Sequence, residues 1–287
     1  MKRNAIVRIV LFSILALALI SVLMGGISMK LYNKRGIVIK KGSDAPVVQD
    51  NNFSTKDIDS LKISWVTGDI VIVPTDSQQI QVCEEILGSE EPMILKKGGS
   101  QLIVEYSQDN LPIKVGNPSH KNLYIAVPQD WVCRQLEIDA ASANVRVEHL
   151  TIEEVEVDTA SGTHTFDLCA VQSLKMDTAS GDLDFTGSLD ELDFNSASAR
   201  ADISLTNQPK SIKLDSMSGD LDLTLPEGCG FTVKKDTLSG SCTIEQDTVD
   251  HNGKLVHGDG ACEIEINGLS SSVHIREGDA TIQQYSH

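Results

Sequence analysis

Short runs of alternating apolar and polar residues fill most of this chain, and they recur about every 19 residues. One copy reads Asp177-Thr178-Ala179-Ser180-Gly181-Asp182-Leu183-Asp184-Phe185. With Ser180 as position zero, the equivalents are Ser142, Ser161, Ser198, Ser218 and Ser239, at spacings of 19, 19, 18, 20 and 21. Looser copies centre on Thr67 and Ser270. Six before zero stand Leu61, Leu136, Val155, Leu174, Leu192, Ile212, Val233 and Ile264. Four before zero the column is again apolar, with Lys235 as its exception. Three and five after zero the residues are mostly Ile, Val, Leu or Phe, broken at three after by His164, Ala201 and Cys242. The position between, four after zero, is mostly polar: Arg146, Thr165, Asp184, Asp202, Asp222, Thr243, His274. Two alternating runs per copy are the period-two signal of half-buried strands.

The segment between the runs is a corner with a mechanism. Three before zero lies Asp139, Asp158, Asp177, Asn195, Asp215, Asp236 or Asn267, and just after zero lies Gly in most copies. Asp and Asn accept from backbone N–H groups two residues on, and Gly tolerates positive φ. The small Ala just before zero (Ala141, Ala160, Ala179, Ala197) is expected to face inward. One such coil cannot bury its apolar face alone, whereas stacked coils bury a continuous core. The fold class predicted is therefore all-β, a β-solenoid of about 19-residue rungs. A dozen rungs about 4.8 Å apart would make a rod of about 50–60 Å. A sandwich or meander of hairpins is the rival, but its turns would not need the same residues in the same column.

The first 41 residues differ. They hold eight Lys or Arg and no acid, whereas the remainder holds 16 basic and 41 acidic residues, a balance of −25. Ile9 to Met29 is apolar and uncharged, long enough to span a bilayer. It reads as an uncleaved N-terminal transmembrane signal anchor, since no Ala-x-Ala-like site ends it. The division is 1–30 anchor, 31–45 basic juxtamembrane linker, 46–135 irregular β-repeat region and 136–287 regular β-solenoid with an insertion at 246–260, read as a protruding loop. The Lys and Arg after the span favour a cytoplasmic C-terminal side, but a long domain translocates regardless of such charge.

The candidate chemistry is thin. Asp177, Asp182 and Asp184 invite a calcium reading, but the Gly-Gly-x-Gly-x-Asp nonapeptide is absent. Cys83, Cys133, Cys169, Cys229, Cys242 and Cys262 form no Cys-x-x-Cys and read as core thiols. His251 and His257 crowd with Asp247, Asp250 and Asp259 in the insertion, which reads as a solvated loop. The repeated Ser lacks a Gly-x-Ser-x-Gly elbow, and a nucleophile is needed once, not in every rung. No catalytic, cofactor-binding or metal-ligating residue is assigned, no cofactor is expected, and the acidic surface argues against nucleic acid.

The segments 177–185 and 215–223, with the ending Gly258-Asp259-Gly260, Ile264 to Ile266 and Ser270 to Ile275, resemble a bacterial β-strand-repeat domain of unknown function whose members are called candidate adhesins. The resemblance covers roughly 60–276, best from 136 onward. It implies a repeat-built β fold and, in many members, one N-terminal membrane span in Gram-positive bacteria. Some members accompany envelope-stress systems, and no catalytic residue is carried over. Ala143, Ala199 and Ser271 stand where the family has Gly, which leaves the turn geometry of those rungs open. The expected protein is a single-pass cell-membrane protein, a non-catalytic solenoid more on the extracellular side. Its partners would be the lipid bilayer through the N-terminal helix and an unknown protein or cell-wall ligand. A cytoplasmic-facing scaffold self-associating through the solenoid ends is the alternative, and a glycan-processing β-helix enzyme a third.

Overall fold

A computed structural model describes residues 47–86, 92–107 and 121–278. The anchor and basic linker lie outside the described residues, so the membrane span is not described. Among the described residues no helix is long and apolar enough to cross a membrane. The helix they contain is a 3-10 turn at Thr55–Asp57.

The rest is strand: β1 (Val47–Ser54), β2 (Ser60–Thr75), β3 (Gln79–Ile86), β4 (Ile94–Gly98), β5 (Gln101–Glu105), β6 (Asn122–Pro128), β7 (Val132–Glu148), β8 (Thr151–Ser196), β9 (Arg200–Leu205), β10 (Ser211–Leu225), β11 (Phe231–Ser239), β12 (Cys242–Ile244), β13 (Val249–His251), β14 (Lys254–His257) and β15 (Cys262–Glu277). All belong to one hydrogen-bonded sheet system that bends at the repeated corner. Each coil has one leg before the corner and one after it.

Coils stack in parallel, column on column. Ser142 pairs with Thr67 on one side and Ser161 on the other. Asp202 pairs with Asp184 and Asp222, all four after zero. The predicted inward columns form the core: Leu61, Leu136, Val155, Leu174, Leu192, Ile212, Val233 and Ile264 are all at most 3% exposed. Fully burying each such aliphatic side chain contributes about 1.5–3 kcal/mol. His164 takes a place in this ladder with no exposure. Its Nδ1 lies 3.2 Å from the Asp182 carbonyl oxygen, so the N–H donates there, and burial lowers its pKa and keeps it neutral.

Three expectations need correction. The Ala just before zero is only half-buried; the residues facing inward are those two before zero (Ala140, Thr159, Thr178, Ser216) and one after (Ala143, Gly181, Ala199, Ser271). The in–out alternation slips by one residue at the corner, and that slip is the bend. The Asp column also does not cap N–H groups two residues on. Instead it runs from coil to coil, Asn195 donating to Asp177 at 2.8 Å and Asn267 to Asp215 at 2.6 Å.

The third correction is topological. The last coils do not stack in chain order, because β15 slides between β10 and β11: Ser270 pairs with both Ser218 and Ser239. The insertion at 246–260 is not a free loop. It holds the antiparallel hairpin β13–β14, and β14 pairs with β11 over Phe231–Lys234. The opposite end is built similarly. β2 lies between β7 and an outer coil made of β5 and β6, and antiparallel strands cover both legs, β4 on β5 and β3 then β1 on β6.

This order settles the coils that lack Gly after zero. Lys121 stands over Gly68, Ala143 over Gly162, Ala199 over Gly219 and Ser271 over Gly240. At Gly162 (φ 132°) and Gly240 (φ 117°) a Cβ would fall inside the neighbouring coil's carbonyl. A coil carrying a side chain at this position is thus followed by one that has none.

Candidate functional site

The outward columns after the corner combine charge with concavity. Two after zero, the row across coils runs Asp69, Asn144, Thr163, Asp182, Arg200, Asp220, Ser272, Ser241. Four after zero it runs Arg146, Thr165, Asp184, Asp202, Asp222, His274, Thr243. The first row builds itself. Asn144 Oδ1 accepts from the Thr163 N–H at 3.1 Å, and Asp182 Oδ1 from the Arg200 N–H at 2.8 Å.

Arg200 is the centre. Its guanidinium lies 2.9 Å from Asp202 and 3.2 Å from Asp222. His274 continues the line, with Nε2 2.8 Å from Glu245 and Nδ1 3.6 Å from Asp222. Two adjoining depressions open here. One, of about 350 Å³, is lined by Arg200, Asp220, Asp222, Ser241, Thr243, Ser272 and His274 among others; the other, of about 250 Å³, by Asp182, Ser198, Arg200, Ser218 and Asp220 among others. Together they make a shallow groove running along the stack. Asp182, Asp220 and Asp222 line it, Asp184 and Asp202 stand in the adjoining outward column and Glu245 meets His274, so the groove and its margin are acidic. Asp184 has a raised pKa, first from partial burial and then from Asp202.

The leg before the corner carries a second electrostatic column, five before zero. In space it reads Lys62, Glu137, Glu156, Lys175, Asp193, Lys213, Glu265, Lys234. Lys175 bonds Glu156 (2.8 Å) and Asp177 (3.0 Å); Lys213 bonds Asp193 (3.1 Å) and Asp215 (2.8 Å). Lys62 likewise bridges Glu137 and Asp139. Asp158 makes no ion pair among the described residues, and Lys175 nearby offsets only part of what burial does to it. Partial burial first, then Asp177, push its carboxyl up to about 6.

The residues singled out in the sequence fall apart in space or serve the scaffold. Asp182 and Asp184 face outward while Asp177 bonds within the corner column, and among the described residues no group of three or more His, Cys, Asp or Glu is set to hold a metal. Two of the repeated Ser bond from coil to coil, Ser180 Oγ donating to the Ala160 carbonyl and Ser239 Oγ to that of Leu269, while Ser198 and Ser218 line the groove. Cys133, Cys169, Cys229 and Cys262 are buried, and burial pushes Cys133 and Cys262 up to about 12 and Cys169 to about 11, which makes them poor nucleophiles. His251 is exposed and His257 packs on Phe231, centroids 5.1 Å apart. Arg200 was missed, although it is the one base in a column of Asp, Asn and hydroxyl residues.

With this geometry established, a family model matches residues 58–283. The chain belongs to the Toastrack DUF4097 family. No curated protein matches it. Solved structures resemble this Toastrack chain at low identity. One is described as a candidate lipid-binding protein from Parabacteroides distasonis (16% identity, 82% of this chain and 98% of that one, TM-score 0.49). Another is a candidate adhesin from Bacteroides fragilis (11%, 81% and 98%, TM-score 0.45). A third is a candidate cell adhesion protein from Clostridium sporogenes (15%, 81% and 100%, TM-score 0.39).

Proposed function

We propose that this chain is a membrane-anchored, non-catalytic β-solenoid of the bacterial cell envelope, an adhesin-like or envelope-stress-associated protein that binds a protein or cell-wall component. The observation that carries the non-catalytic part is the division of labour within each coil. Ser, Asp and Asn of the repeat are spent on corner and inter-coil hydrogen bonds. What faces solvent as a recognisable feature is the groove at Arg200, an open polar surface suited to contact. The apolar stretch 9–29 supports the anchor. Protease shaving of intact cells tests the placement. Digestion of the coils with the anchor retained is expected, and complete protection of the coils would overturn the envelope-surface reading.

One observation favours a second reading, a cytoplasmic-facing scaffold that associates through its ends. β14 covers only Phe231–Lys234 of the outermost coil, and Leu238 beside that uncovered edge is 68% exposed. Open edges invite strand pairing, although Lys235 on this edge opposes it. Sedimentation of the protein across concentrations decides: monomers throughout would remove this reading.

A further inference from the structure

We propose that the acidic groove is the docking site of this chain's own basic segment, residues 30–41, laid across the coils as an extended strap. This goes beyond the reading above and needs no outside partner. It holds whichever side of a membrane the coils face.

Charge is the first argument. Residues 30–41 contain Lys30, Lys34, Arg35, Lys40 and Lys41 and no acid. The groove is lined by Asp182, Asp220 and Asp222, with Asp184 and Asp202 in the adjoining column and Glu245 on His274, and Arg200 pairs with only Asp202 and Asp222 of these six. Four carboxylates therefore have no guanidinium, and Glu245 among them faces His274.

Position is the second. The described chain begins at Val47, the first residue of β1. β1, β3 and β6 extend the same sheet whose outer face carries the groove, in the order β1-β3-β6-β2-β7-β8-β9-β10. Val48 is in register with Glu85, and Glu85 with Asn122. Asn122 in turn accepts from the N–H of Asp69, first member of the row that continues through Asn144 and Asp182 to Arg200 and Asp220. The chain thus enters the structure level with that row.

Reach is the third. β1 lies about six strand steps from the strand of Asp182 and eight from that of Asp220, roughly 29 Å and 38 Å at about 4.8 Å per step. An extended chain covers about 3.3 Å per residue. Going back from Val47, Lys41 and Lys40 come about 20–23 Å along, and Arg35 and Lys34 about 40–43 Å along. A strap running across the strands therefore brings Lys34 and Arg35 level with Asp220 and Asp222, and Lys40 and Lys41 level with Asn144 and Thr163, one coil before Asp182. The groove runs in that same direction, from Asp182 toward Thr243. The tether makes docking intramolecular, at a high effective concentration, and screening by salt weakens it.

The full chain in nanodiscs of zwitterionic lipid tests this, with a zero-length carbodiimide that joins Lys amines to carboxylates. At low salt, Lys34, Lys40 or Lys41 is expected on Asp182, Asp184, Asp202, Asp220 or Asp222, at least fivefold less at 0.5 M salt. In a mixture of isotope-labelled and unlabelled chains, the joined peptides should carry one label. Joined peptides of mixed label would overturn the strap in favour of a second copy. Lysines left unjoined, or joined only elsewhere, would overturn it outright. A variant with Lys34, Arg35, Lys40 and Lys41 all changed to Gln leaves the coils untouched. Its groove carboxylates should couple severalfold faster to an added small amine, and an unchanged rate would also overturn the strap.

Discussion

Lys234 Nζ lies 2.8 Å from Glu265 Oε1, 31 positions further along the chain, because β15 has moved in between β10 and β11. In chain order the column five before zero ends Lys213, Lys234, Glu265; in space it ends Lys213, Glu265, Lys234. The column three before zero changes likewise, from Asp215, Asp236, Asn267 to Asp215, Asn267, Asp236. Intercalation thus alternates charge in one column and separates two carboxylates in the other.

That order predicts the sign of a charge swap. Lys234→Glu places an acid beside Glu265 and should lower stability by up to about 1 kcal/mol, as exposed pairs do. Stacking in chain order would instead have relieved Lys213 and made it neutral or favourable. Adding Glu265→Lys should recover part of the loss relative to the sum of the single changes. Denaturant midpoints of the four proteins in this cycle check it.

Asp158 should be costly at neutral pH. Its folded-state carboxyl titrates at about 6, above the ordinary 3.8, so the folded protein binds the proton more tightly than the unfolded chain. This group's contribution to stability therefore improves as pH falls from about 7 toward 4 and is lost as pH rises through 6. Asp158→Asn, copying Asn195 in the same column, should stabilise by roughly 1 kcal/mol at pH 7.5 after solvent screening is allowed for. The gain should vanish near pH 4. Urea midpoints at the two pH values are the measurement.

Lys121 and Glu84 make the most buried ion pair described, 3.3 Å apart and at most 1% exposed, with the Met93 N–H donating to Glu84 at 2.6 Å. Lys121 Nζ also lies 4.7 Å from the Tyr106 ring centroid. Removing Lys121 takes a counter-ion from the buried Glu84, so Lys121→Met should cost about 3–5 kcal/mol. Lys121→Met with Glu84→Leu should cost much less. Equal losses in the two proteins by chemical unfolding would contradict this account.

Gly162→Ala forces a side chain into φ 132° and against the Ala143 carbonyl. A loss on the order of 2–3 kcal/mol is expected. Ala143→Gly, on the facing coil, meets no such contact and should lower stability by about 1 kcal/mol or less. Thermal midpoints of both variants, compared with the parent, provide the check.

The repeat was legible because it is redundant. Leu136, Val155, Leu174 and Leu192 bury the same face in successive coils, and period two leaves them no other face to bury. Ala143, Ala199 and Ser271 were not legible, since their fit depends on the Gly lying opposite on another coil. Arg200 was hidden for the same reason: its partners Asp202 and Asp222 sit on two different strands.

By itself, then, the sequence determined the strands, the inward columns, the corner and the parallel column-on-column register, all of which follow from local alternation and side-chain size. Only the tertiary structure decided which coil lies beside which at the ends, how the hairpins cover them and where the acidic rows open into a groove. Local patterning specifies which face a strand buries, but a coil with one repeat signature fits any like neighbour. The choice among neighbours rests on contacts such as Lys234 with Glu265 and Ser271 over Gly240, which exist only once the coils are stacked.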